Sequence, residues 1–277
     1  GHSWRHDRQT LEDVVITPGE ITDVVIVLEE VVVKGGWLSV DSHLHGAPSF
    51  DGALPMEHRL LTCAATGVDL PVTTDHDAMV EYRELAEALS LGSRLRVVPG
   101  LEVTTLLRGH FNTFPVEPRP LQEANGGAVK WWVDQGTTSE LFEQIREAAG
   151  PDALLQINHP RSPGMFHMAG FDIETGQPDD EDYWSWDFEL FELVNGGVDD
   201  VAAIRDDWFA FLDRGVIRTP TGVSDSHYRF IPCGMGRTDV HLGTDSPADV
   251  TEADLTDALT AGHVVVAVGT TLRAALA

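Results

Sequence analysis

The stretch LSVDSHLH, residues 38–45, decides the fold. Apolar residues alternate with small polar ones, which predicts a β-strand, and the run ends at His43 and His45. In an extended chain, side chains two positions apart point to the same side, so both imidazoles can contact one ion. The amphipathic pattern MEHRLLTCAATG, residues 56–67, then predicts a helix. The stretch is therefore typical of a strand–helix unit whose strand ends in metal-binding side chains.

The same order of strand, polar residue and helix recurs along the chain. Further apolar runs end at TTDHD, GLEV, INHP, VNGG and SDSH, and Thr251 is expected to cap the last helix. Strands that alternate with helices indicate an α/β protein with a mostly parallel sheet. The number of units fits a closed or nearly closed barrel, for which roughly 250 residues is typical. We place this barrel at residues 37–277.

Residues 1–36 are expected to lie outside the barrel. VVIT and TDVVIVLEEVVV, within residues 11–34, are rich in β-branched residues and predict strands around a turn at Pro18-Gly19. This segment is interpreted as a β extension, either the end of a small β domain or an edge hairpin. Two further stretches, residues 115–136 and 164–187, fit neither strand nor helix. Each is expected to be a lid over a site or an insertion whose aromatic residues pack on the body.

The composition limits the partners. The chain has 277 residues with 18 Lys or Arg and 45 Asp or Glu, which gives a net charge of −27. A surface this negative repels phosphate backbones and anionic membranes. We therefore expect a small-molecule substrate, with no nucleic acid and no membrane, and the oligomeric state stays open. The chain begins Gly-His rather than Met, so we expect a processed or cloned fragment, and the compartment, cytoplasmic or exported, stays open.

The cysteine count excludes two classes of small scaffold. Cys63 and Cys233 are the only cysteines, and they form no C-x-x-C pair. The sequence therefore predicts neither a framework of several disulfides nor a zinc ribbon.

The polar residues that follow the strands predict a metal centre. A single histidine after a strand is more often a capping or satisfied core residue. Here five strand ends carry His, Asp or Glu, and two of them carry pairs at positions i and i+2. Strand ends of a parallel barrel share one rim, so these side chains are expected to converge. Neutral imidazole and carboxylate are ligands of Zn²⁺, Mn²⁺ and Fe²⁺.

Seven separated motifs resemble those of the PHP (polymerase and histidinol phosphatase) family, and most closely its CehA/McbA-like metallohydrolase branch. They are D-x-H-x-H at 41–45, D-G at 51–52, T-D-H at 74–76, G-L-E-V at 100–103, G-H-F-N at 109–112, N-H-P at 158–160 and S-D-S-H at 224–227. The resemblance implies a distorted (β/α)7 TIM-like barrel that holds two or three divalent ions. It implies nine ligands: His43, His45, Asp51, His76, Glu102, His110, His159, Asp225 and His227.

Other residues are assigned supporting roles. Glu102, His227 and Arg161 are the expected catalytic residues, with Glu102 as the carboxylate that bridges two ions. Arg161, Arg229 and Asn195 are expected to bind substrate, Arg237 is a weaker candidate, and each arginine could instead form a salt bridge. Asp41 and Asp75 are expected to accept the second ring N–H of a ligating histidine.

The reaction that this set favours is hydrolysis of a small phosphate ester by metal-activated water. The alternative is hydrolysis of a carbamate, amide or carboxyl ester, as in the CehA branch, and a non-catalytic metal- or ligand-binding domain is a third reading. An amidohydrolase barrel would need a bridging lysine, whereas Lys130 lies in a glycine-rich stretch and Lys34 precedes the barrel. A serine hydrolase would need G-x-S-x-G, which the sequence lacks.

Overall fold

A computed structural model describes residues 5–7, 9–120, 136–161, 164–196 and 201–269. Within these ranges the strands are β1 Trp37–Asp41, β2 Leu70–Thr73, β3 Val98–Pro99, β4 Leu101–Thr104, β5 His110–Phe114, β6 Leu154–Ile157, β7 Leu190–Asn195, β8 Thr219–Val223, β9 Gly236–His241 and β10 Val264–Val268. The helices are α1 Met56–Thr66, α2 Arg83–Ala88, α3 Thr138–Ala149, α4 Met165–Met168, α5 Val201–Asp213 and α6 Glu252–Thr260. None of these helices has the length and apolar character needed to cross a bilayer. Lys130 lies outside the described residues.

The strands form two five-stranded sheets, in the orders β10-β9-β1-β2-β3 and β4-β5-β6-β7-β8. Four ladders are parallel (β1–β2, β2–β3, β6–β7 and β7–β8). Four are antiparallel (β1–β9, β9–β10, β4–β5 and β5–β6). The α/β class is therefore confirmed, but the prediction of a mostly parallel sheet is wrong. The β4–β5 connection shows why, because it is short and turns the chain straight back on itself.

The two sheets meet at the ends of their strands. β3 and β4 are separated only by Gly100, where a Cβ atom would lie 3.0 Å from both the Thr74 and the Val72 side chains. Isolated parallel bridges also join Leu44 to Ser226 and His76 to Glu102. The hydrogen-bonded ladders of the described residues form two sheets, not one closed ring. Closure into a (β/α)7 barrel therefore stays a prediction.

Helices and an aromatic loop cover the second sheet. Phe142 of α3, Phe211 of α5 and Phe111 of β5 are fully buried in one core between the helices and the sheet. Within the predicted insertion 164–187, Trp184 is buried, and its ring stacks on Phe171 at 4.8 Å between centroids. These aromatic residues pack on the body, as the second of the two readings expected. For the stretch 115–136, residues 121–135 lie outside the described residues.

Two helices begin at capping boxes. At α6 the Thr251 hydroxyl accepts a hydrogen bond from the Asp254 N–H at 3.1 Å, and the Asp254 carboxylate accepts one from the Thr251 N–H at 2.8 Å. Thr137 and Glu140 do the same at α3. Each box satisfies backbone donors that the first helical turn would otherwise leave unpaired. The cap predicted at Thr251 is confirmed.

The N-terminal segment does not form the predicted strands. The described residues before β1 contain no strand, although a bridge joins His6 to Glu30 and backbone hydrogen bonds lie beside it. Ile21 is 91% exposed and Val25 is 81% exposed. β-Branched residues favour an extended backbone, but a ladder also requires a partner strand and a surface to cover. The division into residues 1–36 and 37–277 stays a prediction.

A disulfide joins Cys63 on α1 to Cys233 in the loop between β8 and β9. Both residues are buried, and they lie 170 positions apart in the sequence. The cysteine count did exclude a framework of several disulfides, but it gave no reason to expect this one. The bond ties α1 to the loop that begins with the S-D-S-H motif.

Candidate metal centre

Backbone hydrogen bonds between the predicted ligand segments continue beyond the strand ends. The N–H of His45 donates to the carbonyl of Ser226 at 3.1 Å, and the N–H of Asp225 donates to the carbonyl of His43 at 3.0 Å. The first and last ligand motifs are therefore held side by side. The bridge between His76 and Glu102 does the same on the other side of the centre. Convergence of the ligands follows from strand pairing, as the sequence predicted.

Glu102 lies at the middle of the cluster and is fully buried. Its two carboxylate oxygens lie within 2.7–3.9 Å of ring nitrogens of five histidines: His43, His45, His76, His110 and His159. The five histidines come from four separate segments of the chain. A carboxylate with imidazoles on both oxygens has the geometry expected of a bridging ligand.

Two aspartates complete the cluster. Asp225 Oδ1 lies 3.2 Å from His43 Nε2 and 3.1 Å from His45 Nε2. Asp51 Oδ2 lies 3.3 Å from the Nε2 atoms of both His76 and His227. The structure thus brings all nine predicted ligands together. Their role in binding metal remains a prediction.

The hydrogen-bonding state of these atoms tests whether metal ions would fit. Several buried atoms of the cluster have no hydrogen-bond partner: His43 Nε2, His45 Nε2, Asp51 Oδ1, Glu102 Oε2, His159 Nδ1 and Asp225 Oδ1. Three sets have ligand atoms within 4.8 Å of one another: His45–His76–His227, His43–His45–Asp225 and His76–Glu102–His110. Buried polar atoms without partners are costly, and coordination to cations would satisfy them. The donor set therefore fits two or three divalent ions.

Burial and charge shift the pKa values of the cluster in opposite directions. Burial lowers the pKa of His45 to about 3. Burial also disfavours the charged form of His76, yet the Glu102 carboxylate beside it raises the pKa of His76 to about 10. Burial of Glu102 is outweighed in turn by His43 and His76, which hold the pKa of Glu102 well below its usual range. Glu102 is thus kept ionised. Its neighbour His76 favours the protonated form, whereas His45 favours the neutral form, which can bind a metal ion.

Two ligands have strained backbones. His159 has φ of 27° and Asp225 has φ of 48°, in the left-handed region that favours glycine. The Asn195 amide donates to Asp225 Oδ2 at 3.1 Å, and its other bond is to Glu192 Oε2 at 2.9 Å. Strain of this kind persists only where the surroundings enforce it, and it is common at functional sites. Asn195 therefore helps to hold Asp225 in place, and its role in binding substrate stays a prediction.

Asp41 and Asp75 have other roles than predicted. Asp41 accepts hydrogen bonds from the N–H groups of Ser224 and Gly234, so it fixes the S-D-S-H loop instead of a ring. Burial raises the pKa of Asp41 to about 6. Asp75 accepts from the Ser49 and Tyr82 hydroxyls, and reaches an imidazole only through Ser49. Both carboxylates lie near the cluster as predicted, but backbone N–H groups bind the oxygens of Asp41, and two hydroxyls and the Gly46 N–H bind those of Asp75.

Residues that the sequence analysis did not select orient the rings. Glu192 Oε1 lies 2.6 Å from His43 Nδ1, and Glu192 Oε2 accepts from the His159 N–H at 2.6 Å. Ser49 Oγ lies 3.0 Å from His45 Nδ1, and Thr104 Oγ1 lies 2.5 Å from His76 Nδ1. A sequence signal for Glu192 did exist, since it is a charged residue inside the apolar run FELFELVN. Fixing a ring nitrogen in this way selects the tautomer that can bind metal.

Arg59 on α1 connects the first and last motifs. Its guanidinium donates to the His45 carbonyl at 2.7 Å, and to the Ser226 hydroxyl and carbonyl at 2.7 and 2.6 Å. The side chain is 1% exposed, and it lies one helical turn before Cys63. An arginine on the apolar face of a predicted helix was the signal that could have identified it.

The arginines expected to bind substrate are engaged elsewhere or peripheral. Arg161 forms a bidentate salt bridge with Asp207, with distances of 2.8 and 2.5 Å. The salt bridge given as the alternative is therefore present, and the roles of Arg161 in catalysis and substrate binding stay predictions. Arg237 is buried within β9, where it donates to the Gly269 carbonyl at 2.6 Å. Arg229 is exposed and lies 3.3 Å from His58 Nδ1.

No protein-family model and no curated protein matches the chain. Solved structures do match its fold. One is a two-domain protein from Bacteroides vulgatus containing a predicted PHP-like metal-dependent phosphoesterase, with TM-score 0.55 and 21% identity, covering 84% of this chain and 65% of that one. Endonuclease Q in complex with a 27-mer duplex carrying an abasic lesion matches with TM-score 0.53 and 14% identity, covering 81% and 57%. The lesion-specific endonuclease PfuEndoQ from Pyrococcus furiosus matches with TM-score 0.52 and 16% identity, covering 83% and 57%.

These likenesses confirm the predicted PHP-type fold. The chain spans about two thirds or less of the length of these structures, and the narrower CehA branch stays a prediction. The expectation that nucleic acid is excluded as a partner is wrong on this comparison, because the fold is shared with an endonuclease bound to DNA. The net charge of −27 is a property of the whole surface. It does not determine the local charge that a phosphate meets at a metal centre.

Proposed function

We propose that this protein is a metal-dependent hydrolase that cleaves phosphate esters. The observation that carries the proposal is the buried cluster around Glu102, whose imidazole and carboxylate atoms converge without hydrogen-bond partners. Two divalent ions held by such a set supply an activated water and polarise the scissile phosphate. The likeness to a PHP-like phosphoesterase supports this choice of bond.

The chain's own residues divide the work within the site. Glu102 is positioned to bridge two ions, because imidazoles surround both of its oxygens. Glu192 and Ser49 hold the rings of His43 and His45 through their Nδ1 atoms, which leaves each Nε2 free to coordinate. Asp51 is the most exposed of the ligands and lies where a substrate oxygen would arrive.

The substrates that we propose are phosphomonoesters and nucleic-acid phosphodiesters. A small phosphate ester suits a centre whose ligands are mostly buried. A phosphodiester is supported by the likeness to Endonuclease Q, which is seen with duplex DNA. Both classes contain a phosphate ester bond, so the same metal centre can hydrolyse either. Three ions, a closed barrel and membership of the CehA/McbA-like branch remain parts of this proposal.

Hydrolysis of a carbamate, amide or carboxyl ester is the second candidate. It is favoured by one observation, the salt bridge between Arg161 and Asp207. That pairing removes a cation expected to neutralise phosphate charge, and a neutral acyl substrate needs none. The two candidates share the metal centre and differ in the bond cleaved.

A substrate panel separates the candidates. The chain is loaded in turn with Zn²⁺, Mn²⁺ and Fe²⁺, and assayed with an aryl phosphate, a bis-aryl phosphodiester and an aryl carbamate with the same leaving group. We expect faster release from the phosphorus esters, and no release after chelation. Faster carbamate cleavage would select the second candidate. Equal activity with and without metal, or in Glu102→Gln, would contradict both.

A further inference from the structure

The metal centre opens to solvent on one side. Four ligands have side-chain exposures of 16–36%: Asp51, His110, Asp225 and His227. The other five are less exposed: His159 is 11% exposed, and His43, His45, His76 and Glu102 are at most 5% exposed. Asp51, the most exposed of the four, lies beside His227, and their side chains meet at 3.3 Å. This side is called the mouth of the centre.

Aromatic residues directly flank these two ligands in the sequence. Phe50 precedes Asp51 and is 78% exposed. Tyr228 follows His227 and is 40% exposed, and Phe230 is 80% exposed. Single exposed apolar side chains are common, but a contiguous group of them commonly marks a binding surface.

The exposed rings are continuous with the rings of the ligands. Phe50 stacks on His76 at 4.6 Å between centroids, with an interplanar angle of 25°. His76 lies 5.7 Å from His227, which lies 6.1 Å from Tyr228. The rings of Tyr228 and Phe230 are stacked with 5.3 Å between centroids, and their planes are nearly parallel, with an angle of 3°. An aromatic surface therefore runs from Phe50 across the mouth to Phe230.

We propose that Phe50, Tyr228 and Phe230 form a subsite that stacks an aromatic group of the substrate, such as an aryl ring or a nucleobase. The proposal rests on the proposed function only for the head group, which would bind the metal centre next to these rings. Aromatic faces accept any flat π-system, so the subsite would select by ring character and not by base sequence. Because Phe50 contacts the predicted ligand His76, a substrate ring stacked on Phe50 would lie next to the metal centre.

Binding of two phosphonates to the metal-loaded chain tests the subsite without turnover. Phenylphosphonate and methylphosphonate carry the same phosphonate group, and their C–P bond is not an ester, so neither is hydrolysed. Only phenylphosphonate has an aromatic ring. By calorimetry we expect phenylphosphonate to bind about fivefold or more tightly, the lower end of the range for stacking. The ratio should fall towards one in Phe50→Ala and in Phe230→Ala. It should persist in Phe209→Ala, a control at a 48% exposed phenylalanine on α5.

The ratio of the two phosphonate affinities separates loss of the subsite from damage to the metal centre, because both phosphonates bind the metal centre through the same group. Equal affinities of the unmodified protein for the two phosphonates would overturn the subsite. So would a ratio that is unchanged in both Phe50→Ala and Phe230→Ala. If neither phosphonate binds, the phosphate head group fails, and phenylacetate is compared with acetate. A preference for phenylacetate that Phe50→Ala abolishes would then uphold the subsite, whereas no preference would overturn both proposals.

Discussion

Two buried polar clusters lie at opposite ends of β1 and β2. At the start of these strands, Asp69 accepts hydrogen bonds from Arg5 at 2.7 Å, from Lys34 at 3.0 Å and from the Ser39 N–H at 2.9 Å. At their far ends, Glu102 lies among five imidazoles. Both carboxylates are fully buried. The difference between the clusters lies in what surrounds them.

The comparison shows how a structural ion pair differs from a metal site. Permanent cations neutralise Asp69 and donate hydrogen bonds to both of its oxygens, so nothing further is needed. Around Glu102 the neighbours are imidazoles, which can exchange a proton for a metal ion, and Glu102 Oε2 and the Nε2 atoms of His43 and His45 have no hydrogen-bond partner. Coordination to a cation would satisfy these buried atoms. The following variants test this distinction.

Glu102→Gln should have the largest effect. The amide cannot bridge two cations, and it leaves the surrounding imidazoles without their central charge. We expect bound metal, measured by elemental analysis, to fall, and hydrolysis to drop by more than about 100-fold, beyond the range for groups that only orient ligands. Circular dichroism should show the fold retained. Unchanged metal content would remove Glu102 from the centre.

Asp69→Asn should affect stability and not metal content. The change removes the carboxylate charge that Arg5, which is 4% exposed, binds, and breaking a buried pair in this way costs about 3–5 kcal/mol. Chemical denaturation measures the free energy of unfolding, and elemental analysis of the same preparation measures the metal. Loss of metal with little loss of stability would abolish the distinction between the clusters.

Replacing both cysteines by serine should destabilise the protein by about 2–5 kcal/mol, the range for loss of a native disulfide. The bond holds Cys233, at the end of the loop that begins with Asp225 and His227, against α1. Arg59 still ties that loop to α1, so we expect most of the metal to remain bound. Thiol titration of the unfolded, unreduced protein checks the premise. Two reactive thiols there would show that the bond does not form.

Glu192→Gln should have the smallest effect of the four. It weakens the acceptor at His43 Nδ1, and we expect metal affinity to fall by about 10- to 100-fold. Glu189→Gln is the matched control, because this neighbouring glutamate binds Arg146 at the surface of the same segment. Competition with a chelator measures both variants. Equal affinities for the two would show that Glu192 does not orient a metal-binding ring.

The sequence could predict the convergence of the candidate ligands because most of them lie at or just after the end of a strand, although Asp51 lies in the loop after β1 and His110 begins β5. Position along a strand is local information, and the pairing of the strands then brings His43, Glu102 and Asp225 together. Partners set by tertiary packing could not be read in this way. Asp207, which binds Arg161, lies 46 residues further along the chain on α5.

Parts of the fold were also beyond the sequence pattern. β9, GRTDVH, reads as a polar segment, yet Arg237, Thr238 and Asp239 are buried within its sheet. The opposite error occurred in residues 11–34, where strong strand propensity produced no ladder within the described residues. Propensity reports what a segment can adopt, whereas pairing depends on which other strands are available.

Anomalous X-ray diffraction from crystals of the metal-loaded protein tests the central claim most directly. The account predicts at least two anomalous peaks a few ångströms from the Glu102 carboxylate, within bonding distance of His and Asp atoms of the cluster. Metal bound only elsewhere, or no peak beside Glu102 in a preparation that hydrolyses phosphate esters, would contradict it.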